Sequence, residues 1–63
     1  MKYRHFKGGI YEFLHEARLE NNPDARVVVY RAADGGVWVR AWDNFYGEVE
    51  VAGIMVPRFA QID

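Results

Sequence analysis

Three residue types are missing from this chain, and each absence closes off chemistry. There is no cysteine, no serine and no threonine. Without cysteine no disulfide and no thiolate metal site can form, which fits a cytosolic setting. Without any hydroxyl or thiol nucleophile of the usual kind, Ser–His–Asp and Cys–His mechanisms are excluded. Only tyrosine, lysine, histidine and carboxylates remain as reactive groups. Long apolar runs are also lacking: nothing approaches the roughly 20 residues of a membrane span. The start, Met1 to Lys7, is basic and lacks the apolar stretch of a signal peptide. These absences point to a cytoplasmic location with no membrane partner.

What is present is compact and aromatic. The 63 residues, 1–63, have room for a single domain. A chain this short buries only about 60% of the surface it exposes when unfolded, so its stability is thin. Half of the residues are hydrophobic and 16% are aromatic, which supplies a core. The formal net charge of −1 predicts no bulk attraction to nucleic acid or anionic lipid. Lys2, Arg4 and Lys7 nevertheless crowd the start, and Glu12 to Glu20 is acidic around His15 and Arg18.

Turn signals cut the chain into pieces of strand length. They are Gly8-Gly9, Asn21-Asn22-Pro23-Asp24, Asp34-Gly35-Gly36 and Ala52-Gly53. Val27-Val28-Val29-Tyr30 is β-branched and aromatic, which predicts a strand over Arg26–Ala32. Val37–Trp42 reads as a second strand. Ile10–Glu20 fits both patterns: Ile10, Phe13, Leu14 and Ala17 form a helical stripe, while Tyr11, Phe13, His15, Ala17 and Leu19 alternate onto one strand face. Asp43 or Asn44 is placed to cap a single helical turn carrying Phe45 and Tyr46. Glu48–Val51 is a short extended piece. Ile54–Ile62 is the last strand, with Pro57 at an edge or strand start.

The Asp34-Gly35 step predicts a two-residue type I′ hairpin. That register sets Tyr30 opposite Val39, Val28 opposite Ala41 and Ala32 opposite Val37, an apolar face that should be core. Tyr30, Val28, Val39 and Phe59 are then the expected buried residues. The other face gathers Arg31, Trp38, Arg40 and Trp42. A three-residue loop would shift the register by one and mix the two faces.

Taken in order, Tyr3-Arg4-His5-Phe6-Lys7-Gly8-Gly9-x-Tyr11, Ala17, Val28-Val29-Tyr30-Arg31, Trp38-Val39-Arg40, Phe45 and Val56-Pro57-Arg58-Phe59 form a familiar pattern. It resembles the bacterial domain-of-unknown-function family numbered 1653 over nearly the whole chain. The family pattern has proline where this chain has Ala41, and a histidine and a hydroxyl residue where it reads Arg18-Leu19-Glu20. The resemblance implies a small strand-rich domain, sometimes fused to enzymes acting on nucleotides, and no established activity. It tips Ile10–Glu20 towards a long strand. With the hairpin and the capped turn, it implies a mainly β fold, a small five-stranded SH3-like barrel with one short helical turn before the last strand.

Candidate chemistry is sparse. His5 beside Arg4 and Lys7 is a general acid–base candidate, but neighbouring cations lower its pKa, and a neutral histidine bonded to backbone is the plainer reading. His15-Glu16 lacks the second histidine of a metal motif, because Leu19 stands in its place. No metal and no cofactor is expected. Gly8-Gly9 lacks the lysine and hydroxyl of a phosphate loop and reads as a turn. Arg58 could pair with Asp43 or Glu48, a contact worth about 0–1 kcal/mol. The face of Arg31, Trp38, Arg40 and Trp42 is the main binding candidate, since rings beside guanidinium groups suit stacking on bases or capture of an anion. Arg4, His5, Lys7 and Arg58 are secondary candidates. The reading is a non-catalytic binding module for a nucleotide, a single nucleic-acid strand, an anion or a peptide. Its alternatives are a structural module that self-associates as a homodimer through the tryptophan face, and a small acid–base enzyme using His5 with a carboxylate.

Overall fold

The computed structural model describes residues 1–63 and is mainly β. The strands are β1 (Lys2–His5), β2 (Ile10–Leu19), β3 (Asn22–Ala32), β4 (Val37–Ala41), β5 (Glu48–Val51), β6 (Ile54–Pro57) and β7 (Phe59–Gln61). One helical turn, α1 (Trp42–Phe45), joins β4 to β5. Five strands form an antiparallel sheet in the order β4-β3-β2-β1-β7, and β5 pairs with β6 in a separate ribbon. There are thus seven strands where five were expected. Arg58 divides the predicted last strand in two, and the helical turn is followed by three strands. No ladder joins β4 to β7, so the sheet is not closed by hydrogen bonds.

Ile10–Leu19 is a strand, against its local helical propensity. It is held by β3 along nearly its whole length, through Phe13↔Tyr30 among others, and by β1 as well over Ile10–Glu12. The long ladder to β3, reinforced by β1 at the start, outweighs a propensity difference of a few tenths of a kcal/mol per residue. A bulge at Leu14 changes which side chains share a face: Phe13 pairs with Tyr30, but His15 pairs with Val29. His15 and Ala17 therefore leave the Tyr11–Phe13 face, and Glu16 joins it. The chain reverses between Leu19 and Asn22, so Pro23 and Asp24 belong to β3 and not to the turn.

The β3–β4 hairpin departs from the sequence expectation by one residue. Val29 faces Val39, Tyr30 faces Trp38 and Val28 faces Arg40. The loop is Ala33-Asp34-Gly35: the Ala32 amide donates to the Gly36 carbonyl at 2.8 Å, and the Gly35 amide donates to the Ala32 carbonyl at 2.9 Å. Gly35 takes φ +87°, and the Asp34 carboxylate accepts from the Gly36 amide at 2.8 Å. This is a type I turn completed by a left-handed glycine, the three-residue alternative to type I′. The two faces are accordingly mixed. Val28 and Tyr30 are buried as expected, but Val39 lies on the outer face and is 60% exposed.

Only five residues are buried: Tyr3, Val28, Tyr30, Phe45 and Phe59. Four of the five are aromatic, so ring geometry sets the core. Phe45 stacks on Phe59 with centroids 4.2 Å apart and planes 8° from parallel, and Tyr3 meets it edge-on at 5.2 Å. Tyr11, Phe13 and Trp42 pack around this cluster. The helical turn exists to deliver Phe45. Its N-cap is Ala41, with no side-chain cap, so neither Asp43 nor Asn44 plays the capping part. Gly47 ends the turn, because a Cβ there would lie 2.7 Å from the Asp43 carbonyl oxygen.

Candidate functional site

The sheet curls until β7 comes back over β3, and Tyr30 and Phe59 are 5.7 Å apart by ring centroid. Arg40 spans the remaining opening from the β4 side. Its guanidinium carbon lies 5.3 Å from the Phe59 ring centroid. Its Nε donates to the Tyr30 hydroxyl at 3.4 Å and its Nη1 to the Asn44 side-chain oxygen at 2.6 Å. A guanidinium has five N–H donors, so three remain without a protein acceptor.

His5 stands on β1 beside the same opening, over Phe59 at 4.9 Å. Its Nδ1 accepts the Lys7 amide proton at 3.2 Å, which leaves the proton on Nε2 in the neutral ring. The pKa is held below the usual histidine value first by burial, then by Arg40, Lys7 and Arg58 in that order. No carboxylate is among the groups acting on it. Arg58, at the β6–β7 junction, carries a buried Nε with no hydrogen-bond partner.

Arg40, Lys7 and Arg58 thus gather around His5 as a cationic mouth, and none of the three makes a salt bridge. The chain's two salt bridges lie elsewhere, Arg26–Glu16 at 2.9 Å and Arg31–Glu12 at 3.1 Å. The pairing considered for Arg58 with Asp43 or Glu48 is absent. An arginine with an orphaned buried donor costs stability that a carboxylate partner would have recovered. Burial and like charges around a solvent-facing cluster mark a functional-site candidate.

The four residues grouped by the predicted register do not stay together. Arg31 is on the outer face, tied to Glu12. Trp42 is occupied: its Nε1 donates to Glu16 at 2.9 Å, and the Arg26 guanidinium lies 4.4 Å over its ring. These same contacts, the Trp42 hydrogen bond first, hold the Glu16 carboxyl below its ordinary pKa. Trp38 shares the inner face with Tyr30 and Arg40 but is 58% exposed, at the β4 edge. Arg4 turns to the outer face between Ile10 and Ala60. Arg40 is joined instead by His5, Lys7 and Arg58. Tyr30 and Asn44, which fix the Arg40 guanidinium, read from sequence as a core residue and a candidate cap, not as parts of a site. The Arg40–Asn44 spacing of four across the strand–helix junction was the available signal.

The mouth is open and not a pocket. The two larger surface grooves, about 330 and 360 Å³, lie to its sides: one near Lys2, Tyr11 and Arg31, the other between Arg4, Val56 and Ile62, touching His5. No cluster of three or more histidines and carboxylates is present to hold a metal. No helix is long and apolar enough to cross a membrane.

The His5 geometry fixes a pH response. Stability depends on pH only where folded and unfolded chains bind different numbers of protons. The folded pKa is lowered, so between it and the unfolded value of 6.5 the unfolded chain holds more protons. The stabilisation from neutral His5 is therefore complete above pH 6.5 and is lost as the pH falls through that window. A histidine Hε1 titration followed by NMR should give His5 a midpoint below 6.5, rising when an anion fills the mouth. A midpoint at or above 6.5 without anion would remove the cationic environment.

Comparison with known proteins adds one finding. No curated protein and no solved structure matches the chain. The family described as protein of unknown function (DUF1653) matches residues 1–61, and the chain belongs to that family.

Proposed function

We propose that the protein is a non-catalytic binding module that takes up a phosphate-bearing small molecule, such as a nucleotide, at the mouth formed by Arg40, Arg58, Lys7 and His5. The observation that carries this reading is the orphaned buried Nε of Arg58, next in sequence to Phe59, the ring against which both Arg40 and His5 lie. A phosphate oxygen supplies the missing acceptors. Bidentate guanidinium–phosphate bonds are among the strongest neutral-pH contacts available. The neutral His5 Nε2 adds a donor without adding charge repulsion. The rings of Tyr30 and Phe59 form an apolar floor. The absence of serine, threonine and cysteine fits capture better than turnover.

The architecture supports an open variant of an SH3-like barrel, with Arg40 on the Phe59 ring where a closing ladder would be. The test is a titration by calorimetry with a nucleoside 5′-monophosphate, the matching nucleoside and inorganic phosphate. The monophosphate should bind with a dissociation constant on the order of 0.1–1 mM. The nucleoside should not bind. Equal binding of nucleoside and nucleotide would refute the anion as the recognised group.

A further inference from the structure

The outer edge of β4 is unpaired and unprotected. Val37, Trp38 and Val39 are 54%, 58% and 60% exposed, so both faces of the strand are apolar and open. Natural edges are blunted by lysine, proline, bulges or covering loops. Val37–Ala41 has no lysine, no proline and no bulge against β3. Its one charge, Arg40, is turned over Phe59.

The ladder also fixes which backbone groups are free. Hydrogen-bonded and non-bonded pairs alternate in an antiparallel ladder, and the bond from the Ala32 amide to Gly36 starts this one. Tyr30–Trp38 and Val28–Arg40 are then the bonded pairs. The N–H and C=O of Val37 and Val39 point away from β3, and no other backbone bond uses them.

We infer that the protein forms a homodimer by antiparallel pairing of two β4 edges about a two-fold axis at Trp38. In that register Val37 of each copy meets Val39 of the other, and all four free backbone groups on each side are satisfied. Trp38 faces its own symmetry mate as a non-bonded pair, where side chains come closest. Arg40 falls opposite the partner's Gly36, so no like charges meet. The match of donors, acceptors and apolar side chains is what selects a second copy as the occupant. A contact this short gives a weak dimer, of the low-area class.

Sedimentation velocity from about 10 µM to about 1 mM tests it, with a self-dissociation constant expected on the order of 100 µM. Val39→Pro removes an amide that β3 does not use, so the fold tolerates it, and it should weaken association at least ~10-fold. Because the chain has no cysteine, Trp38→Cys should cross-link between copies under mild oxidant. Ile54→Cys, exposed to a similar degree on the β5–β6 ribbon, should not. A wild-type monomer at about 1 mM, unchanged association in a folded Val39→Pro variant, or equal cross-linking by both cysteines would each overturn the inference. A monomer with its edge free would point to a strand from a different protein. The dimer does not rest on the anion mouth, and Val39→Pro should leave phosphate binding intact.

Discussion

Phe45→Ala should unfold the protein. Phe45 is fully buried, stacked on Phe59 and met edge-on by Tyr3 and Tyr46. Truncating a buried phenylalanine costs about 3–5 kcal/mol through lost transfer energy and the cavity left behind. A core of this size supplies little more than about 3–5 kcal/mol in total. Few neighbours can collapse into the gap, since four of the five core residues are rings held edge-to-face or stacked. Val39→Ala is the control. It removes methyl groups from an outer face that is 60% exposed, and should stay within about 0.5 kcal/mol of the parent. Urea denaturation read by near-ultraviolet dichroism separates the two. A folded Phe45→Ala protein with an unmoved midpoint would mean that the ring cluster is not the core.

Arg58→Met should separate stability from function. The folded protein holds Arg58 with an unpartnered buried Nε, close to other cations. Methionine keeps the length and apolar stem, and removes both the orphaned donor and the repulsion. An unsatisfied buried donor costs about 1–3 kcal/mol, so the variant should be at least as stable as the parent and up to about 1–3 kcal/mol more so. Phosphate binding should fall roughly 10-fold or more, the worth of about 1.5–3 kcal/mol in a charge-assisted hydrogen bond. Arg40→Ala should weaken binding similarly, but with some loss of stability, because Arg40 also bonds Tyr30 and Asn44 and covers Phe59. Functional sites commonly keep such destabilising groups. If Arg58→Met were strongly destabilising with binding unchanged, Arg58 would be a structural residue.

Much of the strand content was legible in the sequence, and the reasons differ by element. Val27 to Tyr30 has a composition that fits little other than a half-buried strand, and it is one. The Ala52-Gly53 signal was also sound: Val51 pairs with Ile54, and both turn residues take positive φ, 52° and 81°. The β2 segment was not decidable from its own residues. Its partners β1 and β3 decide it, and only the family resemblance carried that long-range information.

The hairpin register failed for an identifiable reason. Ala33-Asp34-Gly35-Gly36 supports two turns, one with Asp34-Gly35 in the centre and one with Gly35 as the left-handed third loop residue. The second wins because Asp34 then caps the Gly36 amide. One residue of slip moves Val39 outward and brings Arg40 inward. The candidate site suffered with it. Arg40, His5, Lys7 and Arg58 were all named, but as separate groups far apart in sequence. Their meeting depends on how far β7 curls back towards β4, and local pattern does not encode that distance.

The most direct test of the cationic mouth is the arginine Nε–Hε NMR spectrum during titration with inorganic phosphate. All six arginines report at once, and four of them decide the outcome. The account predicts that Arg40 and Arg58 shift together and saturate. Arg26 and Arg31, already paired to Glu16 and Glu12, should stay still. If no arginine shifts by about 10 mM phosphate, roughly ten times the weakest dissociation constant expected for the monophosphate, the mouth does not bind anions. If Arg26 and Arg31 shift as much as Arg40 and Arg58, the response is general screening and the site does not exist.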